Sequence, residues 1–117
     1  MGKASRDKGQ RGQRRCRAFL EGLGLRVVDH EEYTTRWAST PEDALGWDMA
    51  IADGEYPWRV QAKEHGKFPS PVEVLQNAAV GFIHLTHGKL RGRSLILIDA
   101  DDLVEFAKVV AARKGSE

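Results

Sequence analysis

Two short apolar segments separated by a three-residue turn constrain the fold of this chain more than any other feature. The segments "WDMAIAD" (residues 47–53) and "PWRVQAK" (residues 57–63) flank the tripeptide "GEY". Apolar runs of this length that are joined through glycine are typical of two antiparallel strands. The sequence therefore predicts a β-hairpin near the middle of the chain.

Helical and strand patterns lie on both sides of this hairpin. Cys16, Phe19, Leu20 and Leu23 recur at a spacing of three and four residues, which predicts an amphipathic helix over 10–23 that ends at "GLG". The other segments are assigned in chain order: a strand at 25–30, a long loop at 31–46 with a short helical turn as an option, a helix at 71–86 that begins with Pro71 after Ser70, a buried strand at 94–99 and a closing helix from residue 100.

The order α-β-β-β-α-β-α predicts an α/β fold in which a small mixed sheet is flanked by helices, with one crossover connection. A chain of 117 residues fits one domain. We expect a basic flexible arm over residues 1–12 and a single domain over 13–117. No apolar run approaches the length of a membrane span. The single cysteine, Cys16, has no partner for an intramolecular disulfide, which fits a reducing cytoplasm.

Positive charge is concentrated at the start of the chain. Residues 1–17 contain seven Lys or Arg against one Asp, a balance of +6, so the remaining hundred residues carry −5 out of a total of +1. A cationic arm on a mildly acidic body favours contact with phosphates, and nucleic acid is the expected partner. The alternative is a basic tail that only promotes solubility.

The predicted hairpin carries polar side chains that suit a metal site. Asp48 opens one strand, and Gln61 and Lys63 share a face of the next because side chains alternate along a strand. Mg²⁺ prefers oxygen ligands, which Asp48, Gln61 and the backbone carbonyl of Ala62 can supply. Lys63 can orient a metal-bound water or stabilise charge on a phosphate. The alternative is that all of them are ordinary solvent-facing residues of strand edges.

A wider set of motifs resembles a known superfamily. The segments "RDKGQRGQRRCRAFLEGLGLRVV", "GWD" and "VQAK", followed by a segment that contains Gln76, are similar to the PD-(D/E)XK nucleases. The nearest likeness is to the Holliday junction resolvases of archaea and their phage-encoded relatives. The resemblance implies a restriction-endonuclease-like fold and a Mg²⁺-dependent DNA endonuclease, with Mn²⁺ as an alternative metal. It assigns Asp48 as the metal-binding aspartate and Lys63 as the catalytic lysine.

The same resemblance implies a DNA partner and a homodimer. The partner would be a four-way DNA junction that forms during DNA recombination. The protein would act in the cytoplasm, or in the host cytoplasm if it is phage-encoded. The dimer surface is expected to be apolar and to involve the helix at 71–86. The resemblance assigns DNA contacts to basic residues of the arm and first helix and to two residues of the long loop: Lys8, Arg11, Arg14, Arg15, Thr34 and Thr35. Ser39 is a further candidate in the same loop.

Two positions depart from the family pattern. Gln61 stands where the family has a glutamate ligand, and Gln13 stands where it has the glutamate of the first helix. Three consequences stay open: weaker metal binding, a carboxylate from elsewhere, or DNA binding without cleavage. The candidates for the replacement carboxylate are Glu21, Glu64 and Glu73. A nuclease of the same superfamily that acts on other DNA substrates is a further alternative.

Overall fold

The computed structural model describes residues 3–36, 46–53, 57–65 and 69–115, with side chains described for 10–36, 46–53, 57–64 and 69–113. These residues contain four helices and five strands. In chain order they are α1 (Lys3–Gly22), β1 (Val27–Asp29), α2 (His30–Arg36), β2 (Met49–Ile51), β3 (Trp58–His65), α3 (Pro71–Leu75), β4 (Val80–Leu85), β5 (Ser94–Ile98) and α4 (Ala100–Gly115). Among the described residues, no helix has both the length and the apolar character needed to cross a bilayer.

The five strands form one sheet in the order β1-β2-β3-β4-β5. Strand β3 pairs antiparallel with β2, which confirms the predicted hairpin, and parallel with β4. The β1–β2 and β4–β5 pairs are antiparallel. The prediction of a small mixed sheet flanked by helices, in an α/β fold, is therefore confirmed.

The prediction of one helix over residues 71–86 is wrong. Only Pro71–Leu75 is helical, and Val80–Leu85 is strand β4. All six residues of β4 are buried because the strand lies inside the sheet and is covered on both faces. A continuous apolar run such as "VGFIHL" fits a buried strand as well as a buried helix, so periodicity alone does not separate the two. The predicted dimer surface on this helix is withdrawn with it.

The loop predicted over residues 31–46 begins instead with a helix, α2. Asp29 Oδ1 accepts a hydrogen bond from Glu32 N at 2.8 Å, which caps the start of this helix. The pair Asp29 and Glu32, three residues apart, is a capping signal that the sequence contained. Residues 37–45 of the predicted loop, including Ser39, lie outside the described part. The first helix also begins earlier than predicted, at Lys3.

The sheet is covered on both faces. One face packs against α1 and α4 and contains the larger cluster of buried residues: Cys16, Leu20, Leu25, Val27, Met49, Ile51, Val60, Val80, Phe82 and Phe106. The other face packs against α2 and α3, and its cluster comprises Val28, Tyr33, Trp47, Ala50 and Ala78. Helix α1 approaches β3 closely at Gly12, where a Cβ would lie 3.5 Å from Glu64 Cβ. This contact places the basic helix directly over the strand that carries Gln61 and Lys63.

Candidate functional site

A β-bulge places Asp48 at the start of β2. Met49 pairs with Val60, and Asp48 N also donates a hydrogen bond to Val60 O at 2.9 Å. Two residues of one strand therefore oppose a single residue of the other, which is the defining feature of a bulge. Bulges interrupt the alternation of side chains and redirect the extra residue. Asp48 is thereby turned toward α1, and Gln61, which follows Val60, lies beside it along the sheet.

Both carboxylate oxygens of Asp48 accept hydrogen bonds. Ala62 N donates to Oδ2 at 2.8 Å, and Gln13 Nε2 donates to Oδ1 at 3.1 Å. The three residues come from α1, β2 and β3, so the site joins three elements at one point. Each donor is an N–H group, and N–H groups that point at a carboxylate stabilise its charged form.

Burial raises the pKa of Asp48, because desolvation disfavours its charged form. The Ala62 amide, the charge of Lys63, the charge of His30 and the Gln13 amide lower that pKa, and burial outweighs them. Lys63 and His30 thus lie close enough to act electrostatically on the carboxyl group.

The Cys16 thiol of α1 is fully buried. Desolvation and, to a smaller extent, the charge of Asp48 raise the pKa of this thiol to about 12, so it is not a nucleophile at neutral pH.

Gln61 and Lys63 point away from α1. Glu64 packs against Gly12 of α1, and alternation along β3 puts Gln61 and Lys63 on the opposite face, with α2 and α3. Gln61 Oε1 is buried and has no hydrogen-bond partner within the described residues. Such an acceptor calls for a donor or a cation. This oxygen is therefore available to a donor or a cation on the α2 and α3 side of the sheet.

The predicted backbone ligand, Ala62, is engaged through its amide. The N–H and the carbonyl of a strand residue face the same neighbouring strand, so the Ala62 carbonyl also faces the β2 side of β3. Asp48 occupies that side. The structure therefore brings Asp48, Ala62 and Gln13 together, with Lys63 in electrostatic range and Gln61 next to them in the sheet.

A cleft of about 290 Å³ opens beside Asp48, between α1 and strands β1 and β2. It is lined by Gln10, Gln13, Arg14, Arg17, Asp29, Asp48 and Met49. Arg14 was predicted to contact DNA, whereas Arg17 was not singled out. Arg17 Nη2 donates to Val27 O at 3.3 Å, and its Nε lies 3.6 Å from Glu21 Oε1, so it is fixed against the end of the sheet. The cleft thus presents cations and amides next to one partly buried carboxylate.

The other predicted DNA contacts occupy two surfaces. Arg11 Nε lies 3.8 Å from Glu64 Oε1, whose side chain is only 7% exposed, and Arg15 is exposed on α1. Lys8 lies in α1, but its side chain is outside the described part. Thr34 and Thr35 lie on α2, not in a loop, and both hydroxyls donate to Glu31 O at 3.0 Å.

His30 is a site residue that the sequence reasoning missed. Asp29 pairs with Met49 across β1 and β2, so His30 lies beside Asp48, and its ring stacks on Trp47 with 4.3 Å between centroids. The useful signal was the strand register, which the local sequence does not specify.

The oxygen atoms near Asp48 are of the kinds that magnesium binds, with Asp48 as the carboxylate. Within the described residues, no group of three or more His, Cys, Asp and Glu side chains is placed to share an ion. Magnesium binds through one or two carboxylates together with neutral oxygens and water. Asp48 and the Ala62 carbonyl share one side of β3, whereas the buried Gln61 oxygen lies on the opposite face of the sheet. Of the replacement carboxylates, Glu64 is the buried one; Glu21 is exposed and paired with Arg17, and Glu73 is exposed.

Comparisons of this chain with protein-family models, with curated proteins and with solved structures found no match. The fold and the geometry of the site therefore carry the functional argument.

Proposed function

We propose that this protein is a metal-dependent DNA endonuclease with a PD-(D/E)XK-type, restriction-endonuclease-like fold that cuts four-way junctions by phosphodiester hydrolysis. The observation that carries the proposal is Asp48, a partly buried carboxylate that a bulge directs into a cleft lined by arginines. A carboxylate in that position is unfavourable for stability, because burial raises its pKa. Unfavourable ionisable groups in clefts are characteristic of functional sites.

The residues of this chain would divide the work as follows. Asp48 and the Ala62 carbonyl would hold Mg²⁺ or Mn²⁺, with Gln61 as the neutral ligand that must turn toward them from the opposite face of β3. The bound ion would supply Lewis-acid activation of a water molecule. Lys63, whose charge already acts on Asp48, would orient that water and stabilise negative charge on the phosphate. Gln13 would hold the Asp48 carboxylate in place through its amide.

The cations of α1 would bind the DNA backbone. Arg14 lines the cleft, Arg11 lies beside Glu64 of β3, and Arg15 is exposed on the same helix. Charge on one helix face binds phosphates without reading sequence. A homodimer belongs to the proposal, because a four-way junction has two strands to cut symmetrically.

A DNA-binding module that does not cut is the second candidate. The hydrogen bond from Gln13 Nε2 to Asp48 Oδ1 favours it, because an amide hydrogen occupies an oxygen that a metal ion would need. Two glutamines in place of glutamates also reduce the negative charge that attracts a divalent cation. In this candidate the cleft would position a strand of DNA and perform no hydrolysis.

Incubation of the purified protein with an end-labelled four-way junction, with and without Mg²⁺ or Mn²⁺, separates the two candidates. Metal-dependent cleavage supports the endonuclease. Binding without cleavage over a range of metal concentrations would leave the DNA-binding module. Equal cleavage of a linear duplex would remove the junction specificity and keep the nuclease.

A further inference from the structure

A second concentration of positive charge lies far along the chain from α1. Residues 74–98 contain no Asp or Glu, and the loop between β4 and β5, "THGKLRGR" (residues 86–93), carries Lys89, Arg91 and Arg93. All three are exposed. We call residues 86–93 the β4–β5 loop. The functions proposed above for α1 do not involve the charge of this loop.

The three cations of the β4–β5 loop have no counter-ion in the described part of the chain. No carboxylate lies within ion-pair distance of Lys89, Arg91 or Arg93. Five cations elsewhere are paired with carboxylates: Arg11, Arg17, Arg26, Lys108 and Arg113. Unpaired cations that are close in sequence create a positive potential that attracts anions. Like Arg14 and Arg15 of α1, the loop cations therefore have charge available for a partner.

The β4–β5 loop has a defined backbone shape. Gly92 N donates to Leu85 O at 2.8 Å, and Leu85 N donates to Arg93 O at 2.9 Å, which closes the loop at its base. Gly88 and Gly92 have φ of 86° and 87°, a left-handed conformation that glycine adopts without strain. A loop that is ordered before binding loses less conformational entropy when it meets a partner.

The sheet places this loop at the same end as the basic helix. Strands β3 and β4 are parallel, Glu64 pairs with His84, and His84 pairs with Ser94. Arg11 of α1 contacts Glu64, while Arg93 precedes Ser94. Two strand spacings, about 10 Å, separate Glu64 from Ser94.

We propose that the β4–β5 loop is a second phosphate-binding element, which grips one duplex arm of the DNA together with the part of α1 around Arg11. The inference rests on the proposed function, since it takes DNA as the partner. It adds a contact that is remote from Asp48 and that makes binding bivalent along the duplex. Lys89 and Arg91 contribute by neutralising backbone phosphates, so their effect depends on salt and not on base sequence.

The test is the salt dependence of DNA binding in metal-free buffer, measured by the fluorescence anisotropy of a labelled duplex and a labelled junction. The variant Lys89→Gln with Arg91→Gln is compared with the control Lys108→Gln with Arg26→Gln. Each double variant loses one Lys and one Arg from an exposed surface. Circular dichroism and thermal melting verify that both variants are folded.

We expect the loop variant to bind roughly tenfold more weakly at fixed salt, and its plot of log K against log salt to be less steep by roughly 1.8, about 0.9 for each lost phosphate contact. The control should stay close to the wild type. A loop variant with the slope and affinity of the control would overturn the inference and leave the nuclease proposal intact. A wild-type protein that binds neither DNA would overturn the proposed function as well.

Discussion

Gln13 of α1 donates a hydrogen bond from Nε2 to Oδ1 of Asp48 at the start of β2, over 3.1 Å. The two residues are 35 positions apart in the chain, so only the fold brings them together. A neutral amide beside a partly buried carboxylate satisfies the carboxylate without a cation. If Asp48 belongs to the proposed metal site, we predict that the identity of residue 13 controls how strongly that site binds a metal ion.

The variant Gln13→Glu should make the protein depend on metal. Two carboxylates at this distance repel each other, so the free energy of unfolding in EDTA should fall by on the order of 1 kcal/mol. The melting temperature in EDTA should fall with it. Added Mg²⁺ or Mn²⁺ should raise the melting temperature of the variant by more than that of the wild type, because a ligand of the folded state stabilises it.

Gln10→Glu is the matched control for this change. It makes the same substitution one helical turn earlier on α1 and in the same cleft. Its metal-induced shift should resemble that of the wild type. If Gln13→Glu shows no larger metal-induced shift than Gln10→Glu, Asp48 is not part of a metal site.

The pH dependence of stability should report on Asp48. Burial raises its pKa above the 3.8 of the unfolded chain, so the folded protein holds this proton more tightly than the unfolded protein does. Stability is therefore lost as the pH rises from about 3.8 through the raised folded pKa. In Asp48→Asn that loss disappears, so its melting temperature minus that of the wild type should grow from acid to neutral pH in EDTA.

Asp101→Asn in α4 serves as the comparison for the loss of one charge, since Asp101 is exposed. A difference for Asp48→Asn that shrinks as the pH rises would mean that the hydrogen bonds from Ala62 and Gln13 outweigh burial.

Two glycines should respond in opposite ways to alanine. At Gly12 the new Cβ would make an ordinary contact with Glu64 Cβ at 3.5 Å, and α1 should gain about 0.5 kcal/mol of stability. At Gly81 the new Cβ would collide with Val74 Cγ1 of α3, and the loss should be about 1–3 kcal/mol. Urea unfolding measures both. Equal effects would contradict the described packing of α1 and α3 on β3 and β4.

Asp53 should anchor α4 to the sheet. It is 7% exposed, accepts a hydrogen bond from Arg26 N at 2.7 Å and another from Arg113 Nε at 2.8 Å. Asp53→Ala leaves both donors without this acceptor and should reduce stability by about 2 kcal/mol, a value discounted for the partial exposure of Arg113. Glu105→Ala removes an exposed pair with Lys108 and should change stability by at most about 0.5 kcal/mol in the same urea experiment.

Local patterns were sufficient to predict α1, the β2–β3 hairpin, β5 and α4. They failed at β4, where "VGFIHL" is buried on both faces and shows no alternation. The extent of α2 was missed, although its cap, Asp29 with Glu32, is local and visible in the sequence. At β4 the burial is decided by neighbours in space, and periodicity does not report those neighbours.

At the candidate site, too, the local sequence predicted some features and missed others. The spacing of Asp48 and Lys63 pointed to neighbouring strands, which the structure contains. The bulge at Asp48 and the proximity of His30 depend on the register of three strands, and a local reading does not supply that register. The paired segments located the site, and the tertiary fold determined its contacts.

Cleavage of an end-labelled four-way junction by Asp48→Asn, with Asp101→Asn as the matched control, tests the central claim most directly. In Mg²⁺ or Mn²⁺ the wild type and Asp101→Asn should cut, and Asp48→Asn should cut on the order of a hundredfold more slowly while it still binds the junction. Cleavage by Asp48→Asn at the wild-type rate, or no cleavage by the wild type with either metal, would contradict the account.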